Sequence, residues 1–149
     1  MENATNLTDM MNDLKTRVRF QNIPGDYTDY DYLYMISRGI KRLYVDTQRS
    51  SVYDTLTISP EVDEEGNETW YLNEVLPLDE REYVLVCSNI EFFKQLQGKF
   101  NDNVSYSTDA ISVANADKPY LNIKDSVEKL EDERRITYYK MVRYAIGVG

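Results

Sequence analysis

The sequence predicts a mainly α-helical protein, a small bundle of about four helices with extended insertions that resemble β-hairpins. Two observations support this class. Apolar residues recur at intervals of three and four in several separate segments, which places them on one face of a helix. Between those segments, β-branched and apolar residues alternate with polar ones, a pattern typical of strands.

The first helix is predicted near the start of the chain, where Thr5 or Asn6 can cap its first turn. Pro24 and Gly25 then predict a turn that ends the segment. The apolar residues of this helix recur at helical spacing and are Leu7, Met10, Met11, Leu14 and Val18.

A second helix is predicted from Thr28, whose hydroxyl can accept a hydrogen bond from the first turn. Asp31, three residues later, favours the positive end of the helix dipole. Gly39 lies inside this helix at a cost of about 1 kcal/mol relative to Ala. We therefore expect another helix to cross close to Gly39. The apolar stripe is Leu33, Ile36, Ile40 and Leu43.

An extended arm is predicted at about residues 52–77. SSVYDTLTISPEV is rich in β-branched residues, and ETWYLNEVL follows the polar stretch DEEGN. This pattern favours a hairpin that turns at Glu65, Gly66 and Asn67. The arm tip is strongly acidic and contains Glu61, Asp63, Glu64, Glu65 and Glu68.

A third helix is predicted after Pro77, with Asp79 as N-cap and Glu82 at the third helical position, close to a capping box. Gly98 predicts its C-terminal end. Its apolar residues cover a wide arc, so we expect this helix to be central. They are Tyr83, Val84, Val86, Cys87, Ile90, Phe93 and Leu96.

A second, smaller hairpin is predicted at about residues 103–114. In VSYSTDAISV, apolar residues alternate with polar ones on both sides of TDA, which can form a turn. Asp117 and Pro119 then predict the start of the last helix. Arg134 falls on the apolar stripe of that helix, where an apolar residue is expected. The other stripe residues are Ile123, Val127, Leu130, Thr137, Met141 and Ala145.

The charge of the chain is acidic and uneven. A formal net charge of −9 at pH 7 opposes tight binding to nucleic acid, because phosphates repel an acidic surface. Solubility, imitation of DNA and a wall past which DNA slides are three interpretations of this charge. Cationic residues cluster at residues 15–19, 38–42 and 134–143, while acid concentrates in the arm tip. Such an asymmetric molecule can pair its acidic and basic faces head to tail.

The residue types favour neither catalysis nor ligand binding. The chain contains no histidine, the commonest metal ligand and the usual general base near neutral pH. Its one cysteine, Cys87, lies in an apolar helix, where a thiol serves as a small core side chain. Asp26, Asp29 and Asp31 lack the glycine and the distant glutamate of a calcium loop. We therefore expect no catalytic, cofactor-binding or metal-binding residues, and no enzyme.

The sequence also indicates a compartment. A single cysteine excludes an internal disulfide framework. MENATNLTDM lacks the basic start and apolar run of a secretory signal, and no apolar run approaches the roughly 20 residues that span a membrane. These features predict a soluble protein of the cytoplasm.

Tyrosine is in excess, with 13 Tyr against four Phe and one Trp. Rings with a polar end favour protein interfaces, and they also line small cores with their hydroxyls at the edge. Basic and aromatic side chains concentrate near the C-terminus, where Arg and Tyr are typical of binding hot spots. The predicted docking surface consists of Arg134, Arg135, Tyr138, Tyr139 and Tyr144.

The order of these elements, with the texture of VSYSTDAISV and KDSVEKLEDERRITYYK, resembles the head–tail adaptor (connector) proteins of tailed bacteriophages over about residues 7–146. The resemblance implies a structural virion protein whose copies form a closed, usually dodecameric ring beneath the portal. That ring extends the DNA channel and presents a platform for the tail.

The resemblance also implies the partners. They are the portal protein, neighbouring copies of the chain, and tail or stopper proteins, while genomic DNA passes without specific binding and no membrane is involved. The location implied is the virion neck, and the host cytoplasm during assembly. A C-terminal docking tail at about residues 143–149 would seat between portal subunits. The alternative function is an acidic inhibitor that mimics DNA and occupies a nucleic-acid-binding protein.

Overall fold

The secondary structure is dominated by helices, which confirms the predicted mainly α class. The computed structural model describes residues 3–18, 27–106 and 110–145. Four long helices match the predicted number, and one short helix was not predicted. The elements in chain order are β1 (Thr5–Asn6), α1 (Leu7–Arg17), α2 (Asp29–Asp46), α3 (Ser50–Tyr53), β2 (Ile58–Val62), β3 (Glu68–Leu72), α4 (Leu78–Tyr106) and α5 (Ala110–Ala145).

The first two long helices begin where their capping residues predict. The Asn6 side chain accepts a hydrogen bond of 3.0 Å from the amide of Asp9 at the start of α1. Thr28 and Asp31 form a complete capping box at the start of α2, in which the Asp31 carboxylate accepts from the Thr28 amide at 2.8 Å. Both predicted starts are confirmed. The turn predicted at Pro24 and Gly25 lies outside the described residues.

Gly39 marks a close approach of α2 to α4, so the predicted helix crossing is confirmed. A Cβ atom at this position would lie 2.5 Å from Oγ of Ser88 and 2.6 Å from the carbonyl oxygen of Val84. The Ser88 hydroxyl donates to that same carbonyl at 2.6 Å. The contact therefore involves backbone, which cannot move aside as a flexible side chain does.

The predicted arm is a hairpin that belongs to an antiparallel sheet with strand order β1-β3-β2. Pro60 pairs with Trp70 within the hairpin, and Thr5 pairs with Leu72 across β1 and β3. Gly66 adopts a φ of +88° in the turn, which glycine reaches without a steric penalty. The hairpin prediction is confirmed.

The start of the arm was predicted wrongly. Residues 50–53 form the short helix α3, and the strand begins only at Ile58, where Leu72 lies opposite. Val52 and Tyr53 have no paired strand facing them, and β propensity depends on such cross-strand packing. The extended part of the arm is therefore shorter than the predicted span of about 52–77.

Hydrogen bonds attach the base of the hairpin to the N-terminal segment. The buried Thr5 hydroxyl donates to the carbonyl of Glu74 at 2.6 Å and accepts from the amide of Leu76 at 2.9 Å. The Thr8 hydroxyl accepts from the amide of Trp70 at 2.9 Å. The hairpin consequently leaves the helical body in a defined direction.

The predicted capping box at the start of α4 is wrong. The helix begins at Leu78, so Asp79 lies inside the first turn. The backbone amide of Arg81 donates a helical hydrogen bond of 2.9 Å to the Pro77 carbonyl. The helix therefore begins before the predicted N-cap, Asp79. Glu82 contacts Arg17 instead of the cap, through two hydrogen bonds of 2.8 and 2.6 Å. The ion pair lowers the pKa of the Glu82 carboxyl, chiefly through the hydrogen bond from Arg17.

The predicted C-terminal end of α4 at Gly98 is also wrong, because the helix continues to Tyr106. Gly98 adopts no left-handed conformation that would end a helix, and it lies exposed inside α4. A glycine in a helix interior costs only about 0.5–1 kcal/mol relative to Ala. That penalty is too small to stop a helix whose preceding turns are well packed.

The small hairpin predicted at about 103–114 is not formed, because residues 103–106 and 110–114 are helical. Residues 107–109, which include most of the predicted turn, lie outside the described part. Only short alternating stretches favoured the two predicted strands, and the stability of an isolated two-stranded hairpin is marginal in water. Extending an existing helix adds one hydrogen bond per residue without a new nucleus.

The last helix therefore begins earlier than predicted. It starts at Ala110, before Asp117, and Pro119 lies within it. The predicted apolar stripe of this helix is confirmed at four positions. Ile123 and Met141 are buried, and Val127 and Leu130 pack against the core. Thr137 is only half-buried, and the side chain of Ala145 lies outside the described ones.

The central position predicted for α4 is confirmed. Every residue from 83 to 90 is buried, as are Phe92, Phe93 and Leu96. Helices α1, α2 and α5 all pack against α4. The core is thus built around a helix that is apolar on nearly all sides.

The crossing at Gly39 predicts opposite effects for two glycine substitutions. We expect G39A to lower the free energy of unfolding by about 1–3 kcal/mol, because the new methyl group clashes with the α4 backbone. The matched control G98A should raise it by about 0.5–1 kcal/mol, since nothing lies within 4 Å of its added Cβ. Urea denaturation of both variants measures the difference. An unchanged or stabilised G39A would contradict the close crossing.

Candidate functional site

Arg134, predicted as a docking residue, lies among the helices. Its side chain is only 16% exposed. Its Nε donates to Glu131 at 2.8 Å and one terminal nitrogen donates to the Tyr83 hydroxyl at 3.2 Å. The same guanidinium lies 3.7 Å from the Asp46 carboxylate. Arg134 therefore occupies the apolar stripe because buried polar partners on three helices surround it.

Asp46 is the acceptor at the centre of this group. It is the last residue of α2, where the negative end of the helix dipole disfavours a carboxylate. Nε of Arg42 donates to it at 2.7 Å, and the Tyr83 hydroxyl donates to the same oxygen. Burial, and then the hydrogen bond to Asp46, raises the pKa of Tyr83 above its usual value. We call Arg42, Asp46, Tyr83, Glu131 and Arg134 the polar cluster; it joins α2, α4 and α5.

Two neighbouring tyrosines near the C-terminus have different environments. Tyr138 packs against the core, with its ring centroid 6.1 Å from that of Tyr83. Its hydroxyl donates to the backbone carbonyl of Asp46 at 3.3 Å. Tyr139, by contrast, is 72% exposed. Tyr138 therefore belongs to the helix packing and Tyr139 to the surface.

The remaining predicted docking residues divide in the same way. Arg135 is exposed and donates to Asp132 at 2.8 Å, a surface pair that leaves most of the guanidinium accessible. Tyr144 lies outside the residues whose side chains the structure describes. Of the described candidates, the structure brings Arg135 and Tyr139 to the surface, while Arg134 and Tyr138 hold α5 against α2 and α4.

A groove opens beside Tyr138, with a volume of about 670 Å³. It is formed by the end of α2, the start of α4 and the last turns of α5. Arg49 crosses one wall, where it pairs with Glu80 and stacks on Tyr44 at 4.6 Å from the ring centroid. The lining residues are Asp46, Thr47, Gln48, Arg49, Pro77, Asp79, Glu80, Tyr138, Met141 and Val142. We call this the C-terminal groove.

A second cavity, of about 260 Å³, lies between the middles of α2 and α4 and the polar cluster. Five of its lining residues are cationic and two are acidic, in a chain whose net charge is −9. Apolar side chains form part of its lining. The residues are Arg38, Lys41, Arg42, Val45, Cys87, Ile90, Glu91, Lys94, Glu131 and Arg134. We call this the basic cavity.

Sequence reasoning did not find either cavity. It identified cationic clusters at 38–42 and 134–143, but not that Arg134 and Lys94 join the first cluster in the lining of one cavity. The available signal was the spacing of Arg38, Lys41 and Arg42 on α2, which places these cations on one helix face. That spacing does not reveal which residues of another helix lie opposite.

The acidic arm tip lies at the exposed end of the hairpin. Glu61, Glu64 and Glu65 are exposed, and the ion pairs of the described residues include none of them. Asp63 accepts hydrogen bonds from the amides of Glu65 and Asn67 at 2.9 and 2.8 Å. The bond from Asn67 is the main reason that the pKa of Asp63 is lowered.

Glu68, the last acidic residue of the tip, is also exposed and accepts a hydrogen bond of 3.2 Å from the Tyr30 hydroxyl. The five predicted tip residues therefore lie together at one end of the hairpin. Asp63 shapes the turn, which holds Glu64 and Glu65 outward.

Cys87 is buried, as predicted for a core side chain. Burial raises the pKa of its thiol to about 12, so the reactive thiolate is scarce near neutral pH. Within residues 3–18, 27–106 and 110–145 no group of three or more acidic or cysteine side chains is placed to hold a metal ion. No helix of this described part is both long and apolar enough to cross a membrane.

No family model, no curated protein and no solved structure matches this chain. The resemblance to head–tail adaptors stays a prediction. A function is therefore inferred from three surfaces of the chain: the acidic arm tip, the basic cavity, and the exposed part of α5 that carries Arg135 and Tyr139. We call this last surface the C-terminal face.

The different environments of the two tyrosines predict different losses of stability. We expect Y138A to lower the free energy of unfolding by about 2 kcal/mol, because it removes packing against Tyr83. Y139A should change it by no more than about 0.5 kcal/mol. Thermal and urea denaturation of both variants measure the two effects, and equal losses would contradict the packing of α5.

Proposed function

We propose that this protein is a head–tail adaptor subunit of a tailed bacteriophage. It is a structural virion protein rather than an enzyme, and its copies form a ring that joins the portal to the tail and extends the DNA channel. The observation that carries this proposal is the exposed, charged tip of a hairpin attached to a helical body. The order of elements along the chain resembles that of such adaptors. A subunit that bridges neighbours needs surfaces of this kind on different sides.

Ring formation needs two different surfaces on each copy. A contact between unlike patches repeats from copy to copy, and it closes into a ring when the rotation between copies allows. The exposed arm tip and the cavities between helices are unlike patches of this kind. The hairpin base is held by Thr5 and Thr8, so the tip has a defined direction toward a neighbour.

The portal contact is assigned to the C-terminal face. Arg135 and Tyr139 are the exposed members of the predicted docking surface, and Arg and Tyr are typical hot-spot residues. Arg134 and Tyr138 support them by fixing α5 against the end of α2. The proposal also assigns Tyr144 and the docking tail at about 143–149 to the portal contact.

The alternative function, an inhibitor that mimics DNA, needs free carboxylates spread along one face. On α5 the acidic residues Glu131 and Asp132 are paired with Arg134 and Arg135 at 2.8 Å each. Asp125, Glu128 and Glu133 of α5 are exposed without an ion pair among the described residues, but the densest group of such acids is the arm tip, with five in residues 61–68. This distribution favours a protein contact over imitation of the DNA backbone.

The portal contact predicts a loss of binding without a loss of folding. We expect the double variant R135A/Y139A to bind purified portal more weakly by about 2 kcal/mol or more, with an unchanged melting temperature. Pull-down and calorimetric titration with portal measure the affinity, and negative-stain images of the wild-type complex show whether a ring forms.

The matched control is E128A/K129A, which removes two exposed charged side chains of the same helix. It should bind portal normally. Normal binding by folded R135A/Y139A would remove the C-terminal face from the portal contact. A wild-type protein that fails to bind any portal of its own phage would contradict the adaptor function.

The proposed channel role predicts negligible affinity for duplex DNA at physiological salt. The negative net charge of the chain repels the DNA phosphates. Each phosphate contact that the protein does not make removes one salt-dependent contribution to DNA binding. An electrophoretic mobility assay at micromolar protein should show no shift. A clear shift would contradict passage of DNA without binding.

A further inference from the structure

We propose that neighbouring copies of this chain bind each other by placing the acidic arm tip of one copy in the basic cavity of the next. This inference deepens the proposed ring and rests on it for its biological setting. It assigns the contact between subunits to named residues, separately from the C-terminal face proposed for the portal.

The cations of the basic cavity are incompletely neutralised. Arg38 lies 3.8 Å from Glu91, a long and weak pair. Lys41 and Lys94 are exposed, and the ion pairs of the described residues include neither. The cavity therefore presents positive potential that an anionic group from outside can neutralise.

The arm tip supplies the complementary charge in a matching shape. Glu61, Glu64 and Glu65 are exposed without a cationic partner among the described residues. A turn is narrower than a helix, so it can approach a cavity between two helices. Complementary potentials of this kind set both the rate and the orientation of association.

Apolar groups also match at the two surfaces. Val62, at the end of β2 beside the tip, is 61% exposed. The basic cavity is lined in part by Val45, Cys87 and Ile90. Contact of Val62 with these side chains removes apolar surface from water in both copies. The contact is thus specified by more than charge.

The base of the hairpin and the basic cavity lie on adjoining faces of α2. Arg38, Lys41, Arg42 and Val45 follow helical spacing on the face that lines the basic cavity. Ser37 and Ile40 lie on the adjoining face, where they line a small cavity with Ile58 and Leu72 from the hairpin base. The tip and the basic cavity are therefore unlike surfaces of one copy, as a contact that repeats head to tail requires.

Exposed ion pairs are weak and are screened by salt over about 10 Å at 0.1 M ionic strength. We therefore expect weak self-association of the free protein, detectable at low salt and lost at high salt. Binding of several copies to one portal raises their local concentration, so a weak contact then suffices to close the ring.

A charge exchange between two variants tests the contact. The tip variant E61K/E64K/E65K has a basic tip, in which three lysines outnumber the remaining Asp63 and Glu68, together with the original basic cavity. The cavity variant K41E/K94E has the original acidic tip and an acidic cavity. All five substituted residues are exposed, so both variants should fold. By sedimentation velocity at low salt, each variant alone should self-associate at least about tenfold more weakly than wild type, because like charges then face each other. An equimolar mixture should regain association, since each tip now meets a cavity of opposite charge.

Two control variants on α5 reverse as many exposed charges of the same sign as the cavity and tip variants do. K124E/K129E and D125K/E128K/E133K lie outside the basic cavity and the tip, and their five side chains are exposed. Each should self-associate as wild type does, and their mixture should show no gain. A mixture of the tip and cavity variants that stays monomeric while wild type associates would overturn the contact. Wild type that remains monomeric at low salt and millimolar concentration would overturn it as well.

Portal pull-downs of the same proteins separate this inference from the proposed function. If wild type forms rings on portal but the mixture of tip and cavity variants does not associate, the proposed contact is overturned and the adaptor function stands. Restored association of the mixture without portal binding would support the contact and contradict the adaptor function. Loss of portal binding by K41E/K94E with unchanged self-association would overturn the inference, since the cavity would then hold a segment of the partner.

Discussion

The enclosure of α4 is the constraint on which the rest of the structure depends. Residues 83–90 are buried in succession, and a helix that is apolar on all sides needs neighbours on all sides. Helices α1, α2 and α5 provide them. Gly39 allows α2 to approach the Val84 carbonyl closely. Because α2 and α5 flank the same helix, their cationic faces converge, and the basic cavity is a consequence of how the core is closed.

The polar cluster fixes how the helices meet at one end of that core. Truncating one member of a partly buried charged group leaves its partner unsatisfied, which costs more than the intact pair contributes. Asp46 receives donors from Arg42 and Tyr83, and Tyr138 donates to its carbonyl. These contacts set the rotation of α5 about its axis. The same rotation that buries Tyr138 places Tyr139 in solvent.

Local signals predicted the parts of this fold that depend on local interactions. The caps at Asn6 and Thr28 and the hairpin turn at Gly66 follow from neighbouring residues. Gly39 predicted that a helix crosses there, but not that the crossing helix is α4. The same reasoning failed at 103–114, where short alternation did not outweigh extension of two long helices. It also failed for both cavities, because Lys94 and Arg38 are distant in sequence and their approach is decided by packing around α4. Sequence therefore identified which residues are charged, but not which of them meet.

The proposed contact surfaces share one physical property: most of their groups are satisfied by water in a free copy. Glu64, Lys41 and Lys94 are solvated ions, and Arg135 has a partner on its own helix. Val62 and Tyr139, the large exposed apolar side chains at the proposed contacts, lie on different elements, the end of β2 and the C-terminal part of α5. An isolated copy thus gains little by associating indiscriminately. Assembly then depends on charge complementarity that accumulates over repeated contacts, which favours a template that gathers many copies. The proposed ring would therefore form where the portal is present and not in its absence.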